Sequence, residues 1–239
     1  MITKIRRPLV IGYKGEIGSF ILNGLLRTMP KASNIWCFDV NESEKEKIER
    51  IRKADCIFLC VPLQDTRSWI KSYKRLLNGK VVVEQCSLKS FLGDDYFNQI
   101  KFIHMHILFR PSVTPKKEDR TCLLLDKNIS EPIIQQMESI LSCKINVERM
   151  SVFEHDTVMA YNQSLVHRSI LVLNDICFHG SDTYINKKIK ELSDRIRSGN
   201  EKLYEAIQRN PHTEEAIRKF ADRMLDFDIR NMGFNGVEI

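Results

Sequence analysis

The chain has 239 residues, of which 43% are hydrophobic and 28% charged, and it carries a net charge of +6. This composition suits one or two compact domains that bury a substantial core. The positive excess is mild and no Lys/Arg-dense run with interleaved aromatic residues occurs, so no nucleic-acid partner is expected, whereas a small anionic ligand fits.

The first 149 residues alternate between short apolar runs and amphipathic stretches. The runs that predict strands are, in order, PLVIGY, NIWCFDV, ADCIFLCVP, KVVVEQC, KFIHMH and TCLLLD. The stretches with helical spacing are GEIGSFILNGLLRTM, SEKEKIERIRKA, DTRSWIKSYKRLL and SEPIIQQMESILSC, the last capped by Ser130. Apolar strands that alternate with helices predict a parallel sheet covered on both faces. We therefore predict an α/β, doubly wound, mainly parallel Rossmann-type domain over residues 1–149.

The pattern changes after Arg149, because no convincing strand follows. From Thr157 to Phe178 apolar residues recur at a spacing that predicts a long helix buried along one side. These residues are Val158, Leu165, Val166, Ile170, Leu173, Ile176 and Cys177. Asn210 followed by Pro211 predicts the N-cap and first position of another helix. The remainder, residues 150–239, is therefore predicted to be an all-helical domain, and a helical unit this small often needs a partner surface.

The seven cysteines lie in apolar or strand-like settings without a CxxC pair, which predicts reduced intracellular thiols. The apolar run near the N-terminus, LVIGY, is too short for the core of a signal peptide. No stretch approaches the length of a membrane span. We therefore expect a cytoplasmic protein without a membrane partner.

The stretch VIGYKGEIGSFI places spaced glycines between a predicted strand and a predicted helix. Gly15 and Gly18 fit the dinucleotide-binding pattern GxGxxG, but its first position holds Tyr13, and an extra glycine, Gly12, precedes it. Asp39 ends the second predicted strand, about 20 residues after Gly18, as the pattern requires. A glycine-rich turn without a ligand is the alternative interpretation.

Each residue of this stretch has a definite expected task. Gly15 would let the backbone approach a pyrophosphate, and Gly18 would let the helix pack close to the strand. The first helical residues, Glu16 and Ile17, would offer N–H groups and the partial positive charge of the helix end. Asp39 would bind ribose hydroxyls and repel a 2′-phosphate, which predicts NAD rather than NADP. Tyr13 is compatible with this turn if its φ angle stays negative.

Val61 and Pro62 follow the third predicted strand. Ligands of doubly wound folds sit outside the carboxyl ends of the strands, so these two residues would line the adenosine or nicotinamide path. A simple end of the strand is the alternative, and from this segment alone it is the better interpretation.

Three further segments, EQCSLKS (84–90), FIHMHILFRPS (102–112) and FEHDTVMAYNQSLVH (153–167), add to VIGYKGEIG. Together they resemble the prephenate/arogenate dehydrogenase family of tyrosine biosynthesis over nearly the whole chain. The family glycine loop reads G-G-x-G-x-x-G, from which only Tyr13 departs. The family acid followed by Ser-Val-Lys matches Glu84, Ser87, Leu88 and Lys89, and its Glu-His-Asp matches Glu154, His155 and Asp156.

The resemblance implies NAD-dependent oxidative decarboxylation of a cyclohexadienyl acid, first of all prephenate to 4-hydroxyphenylpyruvate, by a homodimer. Hydride would pass to NAD, CO₂ would leave and the ring would become aromatic, so no metal is needed. A neutral imidazole suits the task of accepting the hydroxyl proton. His104 and His106 would share one face of a strand, and the resemblance selects His106. Ser87 would lie beside the nicotinamide and the hydroxyl, with a helix N-cap as its alternative role.

The substrate carboxylates call for cationic side chains, and arginine binds a carboxylate through two hydrogen bonds. The resemblance implies Arg195 for this task, with Arg197 as the neighbouring candidate and a solvated helix face as the alternative. His167 matches a family histidine that faces the cleft, although a structural histidine is nearly as good an interpretation. Arg110 stands where the family has glycine, and it would either bind a carboxylate or fill the pocket.

Two substitutions next to His106, Ile107 for proline and Arg110 for glycine, depart from the family pattern. They leave open a divergent enzyme acting on arogenate or on a related acid of a secondary pathway. A non-catalytic dinucleotide-binding regulatory protein is the further alternative. A β-hydroxyacid dehydrogenase would need a lysine on the long helix, where EHDTVMAYNQSLVH has none.

Overall fold

The structure is a computed structural model that describes residues 4–29, 31, 34–92, 100–113, 116, 118, 120–125, 129–148, 150–177, 183–199 and 201–227. It divides into an N-terminal unit, Met1–His155, and a C-terminal unit, Asp156–Ile239. The division falls inside the helix Val152–Met159, just beyond the boundary expected at residue 149. Arg149 and Phe178, which ended two predicted segments, lie outside the described residues.

Seven strands are described in the N-terminal unit. They are β1 (Pro8–Ile11), β2 (Trp36–Phe38), β3 (Cys56–Leu59), β4 (Val81–Glu84), β5 (Lys101–Ile107), β6 (Cys122–Leu124) and β7 (Ile145–Val147). They form one sheet in the order β2-β1-β3-β4-β5-β6-β7. Every neighbouring pair is parallel except β5 and β6. The predicted α/β, doubly wound, mainly parallel Rossmann-type sheet is confirmed.

Four α-helices accompany this sheet in the part of the chain that the structure describes. They are α1 (Glu16–Thr28), α2 (Glu44–Lys53), α3 (Leu63–Tyr73) and α4 (Glu131–Leu141). The start of α2 is fixed by a capping box, in which Ser43 Oγ accepts from the Glu46 N–H and the Glu46 carboxylate accepts from the Ser43 N–H. Ser130 stands at the N-cap of α4, but its side chain makes no capping hydrogen bond. The position of that cap was predicted correctly, and the hydrogen bond expected of it is absent.

The sheet is buried on both faces, which is why β1 and β3 are apolar at every position and β4 is apolar up to Glu84. Successive side chains of β1 point to opposite faces, so Val10 joins one hydrophobic cluster while Leu9 and Ile11 join the other. The first cluster includes Ile21 and Leu25 of α1. The strands that lead to the site are therefore packed on both faces of the sheet.

Two features of the sheet differ from expectation. β7 was not predicted, because only Ile145 of its three residues is buried and its apolar signal is correspondingly short. β6 runs antiparallel to β5. A strand that is buried throughout has the same apolar pattern in either direction, so the sequence carries no signal for this reversal.

The C-terminal unit is helical throughout the part of it that the structure describes. Helix α5 (Val152–Met159) continues through a π-helical segment (Ala160–Leu165) into α6 (Val166–Cys177). The other helices are α7 (Tyr184–Arg197), α8 (Glu201–Gln208) and α9 (Thr213–Leu225). Ser164 of the π-helical segment is fully buried, and its hydroxyl accepts a hydrogen bond from Thr213 Oγ1 at 2.8 Å. The predicted helical character is confirmed.

The predicted burial of the long helix along its apolar side is wrong for the single chain. Val158, Val166, Leu173 and Ile176 are exposed by 37 to 67%. The spacing of apolar residues shows which side chains share a face of a helix, but it does not show what covers that face.

The predicted N-cap at Asn210 is also wrong, because α9 begins at Thr213 and its N-cap is His212. Asn210 instead forms a turn of its own. Its side-chain oxygen accepts from the His212 N–H at 2.9 Å, and its amide nitrogen donates to the Asp156 carbonyl at 2.7 Å. An asparagine before a proline fits such a turn as well as it fits a cap.

None of the helices in the described parts of the chain combines the length and the apolar character needed to cross a membrane.

Candidate active site

The carboxyl ends of β1, β3, β4 and β5 meet at one edge of the sheet, because these strands are parallel. The glycine turn follows β1, Val61 and Pro62 follow β3, Ser87 follows β4, and His106 lies near the end of β5. This is the edge at which doubly wound folds bind their ligands. The structure thus brings the predicted cofactor-binding and catalytic residues of the N-terminal unit together.

Gly12 is required by the fold itself. Its φ angle is +76°, and a Cβ atom there would lie 2.3 Å from the Cys60 carbonyl oxygen. Its N–H donates to the Phe38 carbonyl at 3.0 Å, which ties the turn to β2. Tyr13, in contrast, does not have a positive φ angle. The extra glycine therefore takes the conformation that needs glycine, and tyrosine is tolerated after it.

Gly15 and Gly18 differ in what surrounds them. A Cβ on Gly18 would meet the Gly12 carbonyl oxygen at 2.1 Å, so close packing of α1 on the turn requires glycine there. A Cβ on Gly15 would meet only that same oxygen, at 3.3 Å. Packing within the chain therefore requires glycine at position 18 much more strictly than at position 15, where the helix begins. Its missing side chain leaves the backbone at the start of α1 open to a ligand such as a pyrophosphate.

Asp39 lies directly against the glycine turn. One carboxylate oxygen accepts from the Lys14 N–H at 3.1 Å, and the other accepts from the Val40 N–H at 2.9 Å. The backbone N–H of Asp39 donates to Glu42 at 2.8 Å. These contacts hold an acidic side chain beside the turn, where a ribose would need it.

Glu16, in the first turn of α1, binds the segment that follows β5. Its carboxylate accepts from the Ser112 N–H at 3.0 Å, from Ser112 Oγ at 2.6 Å and from Arg110 Nε at 3.4 Å. Burial raises the pKa of Glu16, but the contacts with Ser112 and Arg110 outweigh it and lower the pKa overall. The half-exposed side chain of Arg110 thus lies beside the first turn of α1 through its contact with Glu16. Ile17, the next residue of that turn, packs against the hydrophobic core.

Val61 and Pro62 border the same turn. A Cβ on Gly12 would lie 3.6 Å from a methyl group of Val61, which places Val61 next to the glycine turn. Pro62 is the N-cap of α3, and its carbonyl accepts from the Asp65 and Thr66 N–H groups. Pro62 therefore has a structural task as well as its predicted place along the cofactor path.

A buried charge cluster joins β4 to β5. Glu84 and Lys89 are fully buried, with Lys89 Nζ 2.6 Å from Glu84 Oε1. His104 Nδ1 lies 2.8 Å from the same oxygen, and the Cys86 N–H donates to Glu84 Oε2 at 2.8 Å. Lys89 also donates to the Met105 carbonyl at 2.8 Å. The cluster thus fixes the loop that carries Ser87 against the strand that carries His106.

The charge state of this cluster follows from its contacts. Burial raises the pKa of Glu84, but the Lys89 ammonium and His104 outweigh it and bring the pKa to about 2. A buried carboxylate with several donors stays ionised. The Glu84 and Lys89 charges therefore compensate each other inside the sheet edge.

His106 is buried and pairs with a second buried histidine. Its Nδ1 lies 3.0 Å from Nε2 of His155, which is on α5 and ends the N-terminal unit. Burial, the Lys89 ammonium and His155 lower the pKa of His106 well below that of an ordinary histidine. His106 is therefore a neutral imidazole at physiological pH, which is the form that can accept a proton.

His104 and His106 share a face of β5 yet have different partners, because His104 joins Glu84 while His106 joins His155. Among the described residues no hydrogen bond joins Ser87 to His106. Ser87 is half-buried, and a short 3₁₀ turn, Ser90–Leu92, follows it. The rest of SFLGDD, the segment that Ser87 was alternatively predicted to cap, lies outside the described residues.

The predicted arginines of the C-terminal unit lie near the end of α7. Arg195 donates to Glu191 at 2.6 Å within its own helix, and Arg197 donates to Asp175 of α6 at 2.8 Å. The side chains of Arg195 and Arg197 are exposed by 64 and 53%. Arg197 thus supports the packing of α7 on α6, whereas Arg195 bonds only within its own helix in the contacts the structure describes.

His167 lies on α6 beside the Tyr204 ring, with ring centroids 5.2 Å apart. Its Nδ1 is a buried atom to which no described group hydrogen-bonds. Burial lowers the pKa of His167, so it is a neutral ring with an unsatisfied nitrogen. A buried polar atom of this kind is normally bonded to protein, water or ligand, and the described residues do not supply that partner.

The sequence did not reveal the partnership of His155 with His106, or that Glu84, Lys89 and His104 form one cluster. Both His155 and the Glu84/Lys89 pair stood in segments of the family resemblance. Their contacts join residues from different elements, and no spacing in the sequence shows which side chains meet.

Comparison of the fold with solved structures gives clear similarities. A prephenate dehydrogenase from Aquifex aeolicus, in complex with hydroxyphenyl propionate and NAD⁺, is 19% identical, with 93% of this chain and 89% of that one covered and a TM-score of 0.66. An arogenate dehydrogenase from Synechocystis is 17% identical, with coverages of 92% and 89% and a TM-score of 0.62.

A pyrroline-5-carboxylate reductase from Coxiella burnetii is 12% identical, with 93% of each chain covered and a TM-score of 0.52. No protein-family model matches this chain, and neither does any curated protein sequence. At these identities the similarity concerns the fold, and at that level the resemblance to prephenate and arogenate dehydrogenases is confirmed.

Proposed function

We propose that this protein is an NAD-dependent oxidoreductase that decarboxylates a cyclohexadienyl acid oxidatively. Prephenate, which would yield 4-hydroxyphenylpyruvate, is the first candidate substrate, and arogenate is the second. The observation that carries the proposal is the neutral, buried His106 at the same sheet edge as the glycine turn and Asp39. A base and a dinucleotide cradle at one edge are the two parts that this reaction needs.

The residues around the glycine turn fit a dinucleotide. Gly15 leaves the start of α1 open, where a pyrophosphate would receive backbone N–H groups and the positive end of the helix. Asp39 would accept hydrogen bonds from the ribose hydroxyls, which favours NAD over NADP. Val61 and Pro62 would border the bound cofactor. Bound NAD would supply the hydride acceptor, as in the A. aeolicus structure with NAD⁺.

His106 would accept the proton of the substrate hydroxyl while the carbon that bears it loses hydride. Its lowered pKa keeps the imidazole neutral, so the lone pair is available. Loss of CO₂ then restores the aromatic ring, and both electrons of the broken bond remain in the ring. Ser87, on the loop after β4, would bind the substrate hydroxyl. The Glu84–Lys89 cluster would hold that loop against the strand of His106.

Arg195, Arg110 and His167 would bind the acidic part of the substrate. Arg195 has an exposed intrahelical partner that a ligand carboxylate can replace at little cost. His167 has a buried ring nitrogen without a described partner. Arg110 contacts Glu16 and can neutralise its charge beside the cofactor, so it would serve either a carboxylate or the pyrophosphate. Arg197 is the second choice, since it already holds α7 to α6.

A homodimer formed through residues 150–239 would cover the exposed apolar side chains of α5 and α6, such as Val166, Leu173 and Ile176. Light scattering at micromolar concentration should give the mass of two chains. A monomer under those conditions would contradict this part of the proposal.

The enzymatic assay is direct. The purified chain is mixed with NAD and prephenate, and then with NAD and arogenate, and the near-ultraviolet absorbance of NADH is followed. We expect NADH to form with one of the two acids. If neither acid produces NADH while NAD binds, the protein is a non-catalytic dinucleotide-binding protein or acts on a related acid.

A further inference from the structure

His106 and His155 share one proton across their contact. The two ring nitrogens, Nδ1 of His106 and Nε2 of His155, are 3.0 Å apart, and both side chains are buried, with 2 and 0% exposure. Two N–H groups cannot face each other at this distance, and two lone pairs would not attract. One nitrogen therefore donates and the other accepts.

The direction of this hydrogen bond decides what the other face of His106 can do. If Nδ1 of His106 carries the proton, its Nε2 has the lone pair and can act as a base. If His155 donates instead, Nε2 of a neutral His106 carries the proton and cannot accept another. The residue that binds one nitrogen of a histidine thus selects the reactive form of the other.

We infer that His155 is a positioning residue, which accepts the Nδ1 proton of His106 and so keeps Nε2 available as the base. This inference rests on the proposed role of His106. His155 does not itself need to touch the substrate. It lies on α5, one residue before the C-terminal unit, and meets His106 from outside the sheet.

One contact and one absence among the described residues support the assignment. The neighbouring histidine of the strand, His104, is held by Glu84, so it does not compete for His155. No described residue hydrogen-bonds to Nε2 of His106. The pair with His155 is therefore the contact through which the chain orients this ring.

The test reads the ring nitrogens directly. Long-range proton–nitrogen NMR of the full chain, with the His106 signals assigned through His106→Gln, shows which nitrogen is protonated. In the wild-type chain at neutral pH we expect the proton on Nδ1. Two variants of His155 then separate the loss of its hydrogen-bond acceptor from the change in its side-chain volume. His155→Gln places an amide oxygen where Nε2 stood, and His155→Leu removes the acceptor and keeps an apolar side chain.

We expect His155→Gln to keep the Nδ1 proton on His106, and His155→Leu to give mainly the Nε2-protonated form. In the proposed assay kcat should fall roughly 10- to 100-fold in the leucine variant and much less in the glutamine variant. His212→Gln, in the C-terminal unit, is the matched control and should leave the His106 signals unchanged.

A wild-type His106 protonated on Nε2 would overturn the inference, and so would a leucine variant in which Nδ1 remains protonated. If the leucine variant does not fold, the wild-type and glutamine spectra still decide. The spectra need no substrate, so the two ideas fail separately. A tautomer that depends on His155 in a chain without turnover supports this inference and contradicts the proposed function.

Discussion

The sheet edge of the N-terminal unit and helices α6 and α7 of the C-terminal unit hold their charged side chains in opposite ways. At the sheet edge, Glu84 and Lys89 are fully buried and bound from several sides. On α7, Arg195 and its partner Glu191 are 64 and 43% exposed and belong to one helix. Buried charges cannot exchange partners without a large cost, whereas exposed charges exchange partners easily.

This difference indicates two kinds of task. The sheet edge is organised before any ligand arrives, which suits residues that must hold a proton acceptor and a cofactor in fixed geometry. The charges on α7 can turn toward a new carboxylate, which suits residues that recognise a substrate. The predictions below test whether the two regions differ in this way.

The largest effect is expected at His106. His106→Asn should lower turnover by about 10²–10⁴-fold, because the hydroxyl proton then lacks its acceptor during hydride transfer. NAD binding, followed by fluorescence, should remain intact. His104→Asn is the companion variant and should reduce turnover far less, since His104 bonds to Glu84 and not to His155. If His104→Asn lowers turnover more than His106→Asn does, the base is His104 and not His106.

The largest effect on the free energy of unfolding is expected for substitutions in the buried Glu84–Lys89 pair. Glu84→Gln removes the carboxylate that pairs with the buried Lys89 ammonium, and we expect a loss of about 3–5 kcal/mol in the free energy of unfolding. The double variant Glu84→Gln/Lys89→Met should lose less than either single change. Glu191→Gln, which removes the exposed partner of Arg195, should leave the stability unchanged in the same urea titration.

The same titration has an expected pH dependence. The pKa of Glu84 is about 2 in the fold against an ordinary value of 4.5. Stability from this group is present above about pH 4.5 and is lost as the pH falls toward 2. Glu84→Gln should weaken that slope, and an unchanged slope would show that other carboxylates cause it.

A smaller effect is expected at Arg195. Arg195→Ala should raise KM for the acid by roughly 10- to 150-fold with a smaller change in kcat, because the contact binds a part of the substrate that does not react. Arg197→Ala should leave KM nearly unchanged, because the described partner of Arg197 is Asp175 of α6. If KM responds to Arg197 and not to Arg195, the two assignments are exchanged.

The smallest effect concerns cofactor choice. Asp39 should weaken NADP relative to NAD by roughly 5- to 100-fold, because its carboxylate would face the 2′-phosphate. Fluorescence titrations with both cofactors measure the ratio, and Asp39→Asn should reduce it. Equal affinities in the wild-type chain would remove Asp39 from the ribose site.

Much of the fold could be predicted from the sequence because the central strands are mostly apolar on both faces and the glycine turn lies between a strand and a helix. Gly12 and Gly18 have local reasons for being glycine, so the turn could be located by inspection. The antiparallel β6 and the short β7 could not, because their patterns carry no direction and little apolar signal.

The site was predictable only in part, because the sequence shows which residue types are present but not which side chains meet. Residue type and family resemblance pointed to His106, Lys89 and Asp39. Which side chains meet depends on strand register and on packing between elements, as in the contacts of His104 with Glu84 and of His106 with His155. The periodicity of Val166, Leu173 and Ile176 shows that these side chains share a face of α6, but it does not show what covers that face.

The π-helical segment Ala160–Leu165 lies between α5 and α6, and it determines how this continuous helix responds to a change in its length. A π-helical segment holds more residues per turn than an α-helix, so it behaves as an added residue that the helix has absorbed. Deleting one residue there should restore an ordinary α-helix and leave His167 beside Tyr204, because the wider turn is what takes up the extra residue. A deletion in α6 itself, which has no wider turn, would instead rotate the residues after it by about 100°. The π-helical segment thus tolerates a change of length that the α-helical part after it does not.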